Sequence, residues 1–107
     1  MKLPAIITEL VNAQNSQDSV AYADCFTTDA IVFDEGHDHH SKEEIKAWIK
    51  SANAEYQASM EPIEYSESDG HAVLTAKISG TFPGSPIVLK YKMEIAQGLI
   101  RSLKITG

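Results

Sequence analysis

The sequence predicts an α+β fold: three N-terminal helices packed on a strongly curved antiparallel sheet, with an internal pocket between the layers. Three observations carry this reading. Apolar residues recur at helical spacing up to about residue 56, and from Ser59 the period changes to two. Turn signals then punctuate the chain at regular intervals. Helices come first and strands afterwards, which is the order of an α+β rather than an alternating α/β chain.

The first helix is expected from about Pro4 to Gln14. Pro4 suits a first turn, where its missing N–H is not needed, and Leu3, Ile6, Ile7, Leu10 and Val11 form one apolar stripe. A second, short helix starts near Asp18 or Ser19, either of which can cap it, with Val20, Ala23 and Phe26 as its inner face. Thr27-Thr28-Asp29 ends it, and Ala30-Ile31-Val32-Phe33 reads as a short strand. Asp34 to His40 reads as a polar loop, with Glu35 structural or solvated. The third helix opens on a capping box, Ser41 with Glu44 three residues on, and carries Ile45, Trp48, Ile49 and Ala52 at i, i+3, i+4 and i+7.

Strands follow. One runs roughly from Ser59 to Glu67, and Ser68-Asp69-Gly70 turns it. Ala72, Leu74, Ala76, Ile78 and Phe82 then alternate with Thr75, Lys77, Ser79 and Thr81. After Pro83-Gly84-Ser85-Pro86, the residues Ile87, Leu89, Tyr91, Met93 and Ile95 face one way. Gln97-Gly98 turns the chain into a last strand, Leu99 to Thr106. Turn-linked strands in this order make an antiparallel meander. Its one apolar face needs the helices as cover, and an incompletely filled curved sheet leaves a cavity.

Composition narrows the function. The 107 residues suit one domain, 1–107. A formal charge of −6 disfavours nucleic acid and anionic membranes as partners. The apolar N-terminal run is interrupted by Glu9, too early for a secretory leader, and no stretch approaches the ~20 apolar residues of a membrane span. The single cysteine, Cys25, fits a reducing compartment and a buried packing role. A cytoplasmic location follows.

The run Phe26-Thr27-Thr28-Asp29-Ala30-Ile31-Val32-Phe33-Asp34-Glu35-Gly36, then His39, Ile45 and Trp48, resembles the SnoaL-like branch of the nuclear-transport-factor-2-like superfamily. The helix entry at Asn15 to Ser19 fits the same pattern. The order of elements extends the likeness to the whole chain, while the sharp motif covers about a quarter of it. One departure is visible: Ser41 stands where the family usually carries Gly. The resemblance implies a cone-shaped, cystatin-like fold and a homodimer. It also implies a superfamily that includes ketosteroid isomerases, polyketide cyclases, dehydratases, hydrolases and non-catalytic binding modules, so fold alone does not choose the chemistry.

Asp34 is the leading candidate for chemistry. It follows an apolar strand, and a carboxylate facing an apolar pocket is a natural general base. By resemblance it matches the general-base aspartate of the ketosteroid isomerases. The same alignment puts Leu10 where those enzymes carry an oxyanion-binding Tyr, which argues against steroid isomerisation, and puts Tyr91 near their second, protonated Asp. Tyr91 is the one polar tip on an apolar strand face and can donate to a developing oxyanion. His39 is a candidate proton shuttle. Tyr22, Phe26, Phe33, Trp48, Tyr56, Tyr65 and Met93 are the expected pocket lining. The cluster Asp34, His37, Asp38, His39 and His40 invites a metal reading, but it lacks the spacing of an established zinc motif, so no metal or other cofactor is expected. The expected ligand is a small, largely apolar molecule. It is either transformed by acid–base chemistry of isomerase, cyclase or hydratase type, or held by a non-catalytic binding or dimerisation module.

Overall fold

The computed structural model describes residues 2–34 and 36–107, so the reading of Glu35 lies outside the described residues. Three helices and six strands follow in the order α1 (Ala5–Asn15), α2 (Ser19–Asp24), β1 (Phe26–Asp34), β2 (His37–His40), α3 (Ser41–Tyr56), β3 (Ser59–Ser68), β4 (His71–Ser79), β5 (Ile87–Ala96) and β6 (Leu99–Thr106). The strands form one sheet in the order β2-β1-β6-β5-β4-β3. Among the described residues, no helix is long and apolar enough to cross a membrane.

The meander holds from β3 to β6, with antiparallel pairings throughout. Asp69 and Gly70, both at positive φ, make the β3–β4 turn. Such a two-residue turn needs left-handed backbone, which Gly supplies freely and Asp tolerates.

Three sequence expectations need correction. The sheet is mixed, because β1 lies parallel to β6 (Val32 opposite Leu103). The free edge of the last strand is where an apolar strand from earlier in the chain can pair, and alternating α+β patterning carries no signal for that long-range contact. The segment His37–His40 is strand β2, paired antiparallel with β1 from Ile31↔His40 to Asp34↔His37. A wholly polar strand is suited to a sheet edge, where only its backbone needs a partner. The third helix therefore follows a β-hairpin rather than a strand and a polar loop. Finally, α2 stops at Asp24, and Phe26 opens β1 instead of closing the helix. Asp18 caps α2 as expected, accepting from the Ala21 N–H at 3.0 Å.

Parity explains the core. Ala30 and Val32 on β1, Leu74 and Ala76 on β4, Tyr91 and Met93 on β5, and Leu103 on β6 are buried beneath the helices. Lys77, Lys90, Lys92 and Lys104 alternate onto the open face. From α1, Ile7 and Leu10 complete this core, and from α3, Ile45 and Ile49. Cys25 is buried with them. Burial pushes its thiol up to about 11, so it stays protonated and packs as a small apolar side chain.

The start of α3 keeps half of its expected capping box. The Ser41 hydroxyl accepts from the Glu44 N–H at 3.4 Å, but Glu44 Oε1 reaches back to the His40 N–H at 2.9 Å. Ser41 itself sits at φ +76°, in left-handed space. That conformation gives a physical reason for Gly at this point in the SnoaL-like pattern.

The far end of α3 docks on the β4–β5 connection. Thr81 N–H donates to Tyr56 O at 2.7 Å, and its hydroxyl donates to Glu55 O and Tyr56 O at 3.1 and 3.0 Å. This approach requires Gly80, where a Cβ would lie 2.5 Å from Tyr56 O. Gly80→Ala is expected to lower stability by about 2 kcal/mol or more by forcing backbone apart from backbone. A urea midpoint within error of wild type would contradict this docking.

Candidate functional site

Between α3 and the sheet lies a cavity of about 460 Å³. Its helical wall is Trp48, Ile49, Ala52, Asn53 and Tyr56. Its sheet wall is Ile78, Leu89, Tyr91 and Ile105, and the β4–β5 connection adds Phe82, Pro83 and Ile87. Pro83 and Ile87 are exposed, so the cavity meets solvent beside that connection. Ala52 and Ala58 leave space where larger side chains would fill it. This volume falls within the range of small-molecule sites.

Asp34 reaches this cavity because it is the last inward position of β1, two residues on from the fully buried Val32. Tyr22 from α2 and Tyr91 from β5 line the same space. Burial pushes both phenols well above their ordinary range. The negative charge of Asp34 adds to the rise at Tyr91, and Tyr91, Cys25 and Asp34 add to it at Tyr22. Burial and the nearby charge of Asp34 therefore favour the O–H form of both rings. Tyr22 also packs edge-on to Trp48, with ring centroids 6.1 Å apart, and this fixes the indole in the wall.

His39 stands apart from this cavity. It stacks on Trp48 at 5.2 Å and lines a second, more polar depression with Glu44, Ser51 and Glu55. Asp34, Trp48, Ala52 and Tyr56 are common to both spaces, so Asp34 lies between the apolar cavity and a polar approach. Burial, chiefly, lowers the His39 pKa from 6.5, with His37 and His40 adding to the fall against Glu44 and Asp38.

Four expected lining residues lie elsewhere. Phe26 is buried in the core against Tyr22. Phe33 alternates to the opposite face of the sheet, because Val32 and Asp34 point inward; it lines a shallow depression there with Lys92 and Lys104. Tyr65 packs at the edge on β3, its hydroxyl donating to Glu67 Oε2 at 3.2 Å. Met93 shares an inward row with Tyr91 but is covered, at 2% exposure, and adds nothing to this cavity. Among the described residues, no cluster of three or more His, Cys, Asp or Glu is placed to hold a metal ion.

Two polar lining residues had no role in the sequence reading. Gln14 Nε2 donates to Asn53 Oδ1 at 3.0 Å and to Ala58 O at 2.9 Å, inside the wall. Their signal was present: Gln14 follows Leu10 by four residues, and Asn53 follows Ile49 by four. Each is a polar side chain on an apolar helical stripe.

The SnoaL-like domain family matches residues 7–100. No curated protein matches the chain. Among solved structures, a candidate polyketide cyclase of Sinorhizobium meliloti is 36% identical over 97% of this chain and 95% of its own, with a TM-score of 0.93. A protein of Catenulispora acidiphila with a ketosteroid isomerase-like fold, solved with trimethylamine, is 18% identical over 99% of this chain and 87% of its own, at a TM-score of 0.89. SalBIII, an epoxide hydrolase/cyclase-like enzyme of pyran ring formation in salinomycin, is 16% identical over 94% and 85%, at 0.81. The last two likenesses are of fold.

The stacked position of His39 is open to a direct check. Its folded pKa lies below the unfolded 6.5, so the unfolded chain binds the proton more readily. Stability therefore falls as pH drops through 6.5 toward the folded value. In an NMR titration the His39 ring should titrate below 6.5, and Trp48→Ala should move its midpoint up. A midpoint at or above 6.5, unmoved by that change, would contradict the stacking.

Proposed function

The chain belongs to the SnoaL-like domain family, and on that premise we propose that its cavity binds a small, largely apolar molecule and performs acid–base chemistry on it, with Asp34 as the base. The observation that carries this is the company Asp34 keeps: one carboxylate and two buried phenols lining a largely apolar space. The reaction class is isomerisation, aldol-type cyclisation or hydration. In each, Asp34 takes a proton from carbon or from water, and charge develops on an oxygen of the substrate. Tyr91, held in its O–H form by burial, donates to that oxygen in a setting where a hydrogen bond is worth more than in water. His39 is neutral near pH 7 and serves as relay on the polar side of Asp34. Similarity to a candidate polyketide cyclase favours this class of substrate.

A second reading, a non-catalytic binding module, is favoured by Leu10. It is fully buried in the core, at the position where the resembled isomerases carry an oxyanion Tyr. The two readings separate in one experiment. Purified protein is incubated with a panel of unsaturated ketones, β-diketones and epoxides, and products are followed by mass spectrometry. Asp34→Asn is expected to lower turnover of any accepted substrate by about 100-fold or more with an unchanged melting temperature. Equal turnover by wild type and variant would remove Asp34 from the chemistry. Ligand-induced stabilisation with no product from any compound would favour the binding module.

We also propose that two copies pair through the open face of the sheet. Exposed Phe33 and Val88 lie there among Thr75, Lys77 and Lys90. Light scattering is expected to give twice the 11.7 kDa chain mass. A monomer at high micromolar concentration would contradict it.

A further inference from the structure

The Gln14–Asn53 pair forms a second polar end of the cavity, and it is incomplete. Both hydrogens of Gln14 Nε2 are committed, one to Asn53 Oδ1 at 3.0 Å and one to Ala58 O at 2.9 Å. This fixes the orientation of both amides. Turning Asn53 would set two NH₂ groups against each other, and turning Gln14 would set its oxygen against the Ala58 carbonyl. Asn53 Nδ2 is then the group left over. Among the described residues it is the one buried side-chain polar atom without a hydrogen-bond partner, on a residue 7% exposed in the cavity wall. An orphaned buried donor is costly and uncommon. Ile45 and Ile49 precede Asn53 in the same inward row of α3, so an apolar side chain there would satisfy packing alone.

We infer that the ligand is a neutral, largely apolar molecule carrying a carbonyl or ether oxygen that accepts the free N–H of Asn53, in addition to the atom presented to Asp34. This rests on the cavity being a site for a small apolar molecule and adds what orients that molecule. Asn53 lies five residues beyond Trp48 on α3, about 7.5 Å along the axis, and Trp48 lines both spaces that Asp34 borders. The contact to Asn53 is thus one the ligand makes in addition to those with Asp34 and Tyr91. No Lys, Arg or His lines the cavity, and Asp34 repels anions, so free acids and phosphates are excluded. The amide pair then selects for oxygenated molecules over hydrocarbons of the same shape.

The probes are 1-tetralone and tetralin, which differ at the ketone. Apolar burial alone favours tetralin, so a preference for the ketone requires a polar contact. Binding is followed by NMR in the wild-type protein, with the Trp48 indole N–H marking occupancy of the cavity and the Asn53 side-chain amide reporting the contact. The Asn53 amide is expected to shift downfield with 1-tetralone and not with tetralin. Asn53→Leu is expected to weaken 1-tetralone binding about tenfold and tetralin binding less than twofold. If that variant does not fold, the wild-type amide shifts decide the question. Occupancy by both probes with an unmoved Asn53 amide would overturn this inference and leave the cavity standing as a binding site. Failure of both probes to move Trp48 would overturn the cavity reading and this inference together.

Discussion

The structure depends on a set of side-chain amides at the C-terminal end of α1. Gln14 bonds to Asn53 on α3 and to Ala58 O before β3. Asn15 pairs with the backbone of Met60 in both directions, accepting its N–H at 2.7 Å and donating to its O at 3.0 Å. Gln17 adds a fifth bond, to Ala58 O at 2.7 Å. These contacts join the ends of two helices to the first strand of the meander. They hold the helical layer in place at a point where apolar packing would close it onto the sheet. At the other end Tyr22, Trp48 and His39 form a run of aromatic contacts from the core to the surface. Between the two ends, Ala52 and Ala58 leave the space unfilled.

The position of Asp34 follows from strand parity and from an unusual strand pairing. β1 lies parallel to β6, which brings its C-terminal end to the mouth of the helical layer, and the inward alternation of Ala30 and Val32 carries on to Asp34. A carboxylate there is next to two phenols that burial keeps protonated. Opposite sides of one side chain then face different surroundings, an apolar cavity and a polar depression. Access from both spaces suits the role of base proposed for Asp34.

Much of this was legible in the sequence. The stripes of α1 and α3 and the alternation in β4 and β5 reported their elements directly, because each depends on local burial. The parallel pairing of β1 and the strand character of His37–His40 were not legible, because both arise from long-range backbone pairing that leaves no mark on polar side chains. At the site, Asp34, Tyr22, Trp48, Tyr56 and Tyr91 come together, while Phe26, Phe33, Tyr65 and Met93 do not. Residue type misled there: an aromatic side chain fills a core or an edge as readily as a cavity wall. For Phe33 the correction was available in advance, since the alternation that turns Asp34 inward must turn its neighbour outward. The reverse failure, the omission of Gln14 and Asn53, came from passing over polar residues on apolar stripes.

The central claim is that the Asp34 carboxylate and the Tyr91 phenol line one largely apolar cavity. The ¹³C resonances of the tyrosine ring carbons, followed against pH in wild type and Asp34→Asn, test it without a substrate. At about pH 11, a unit above the ordinary tyrosine value, Tyr91 should still be un-ionised in the wild type, and its ionisation should begin at lower pH in the variant. Ionisation of Tyr91 near pH 10 in both proteins would contradict the account.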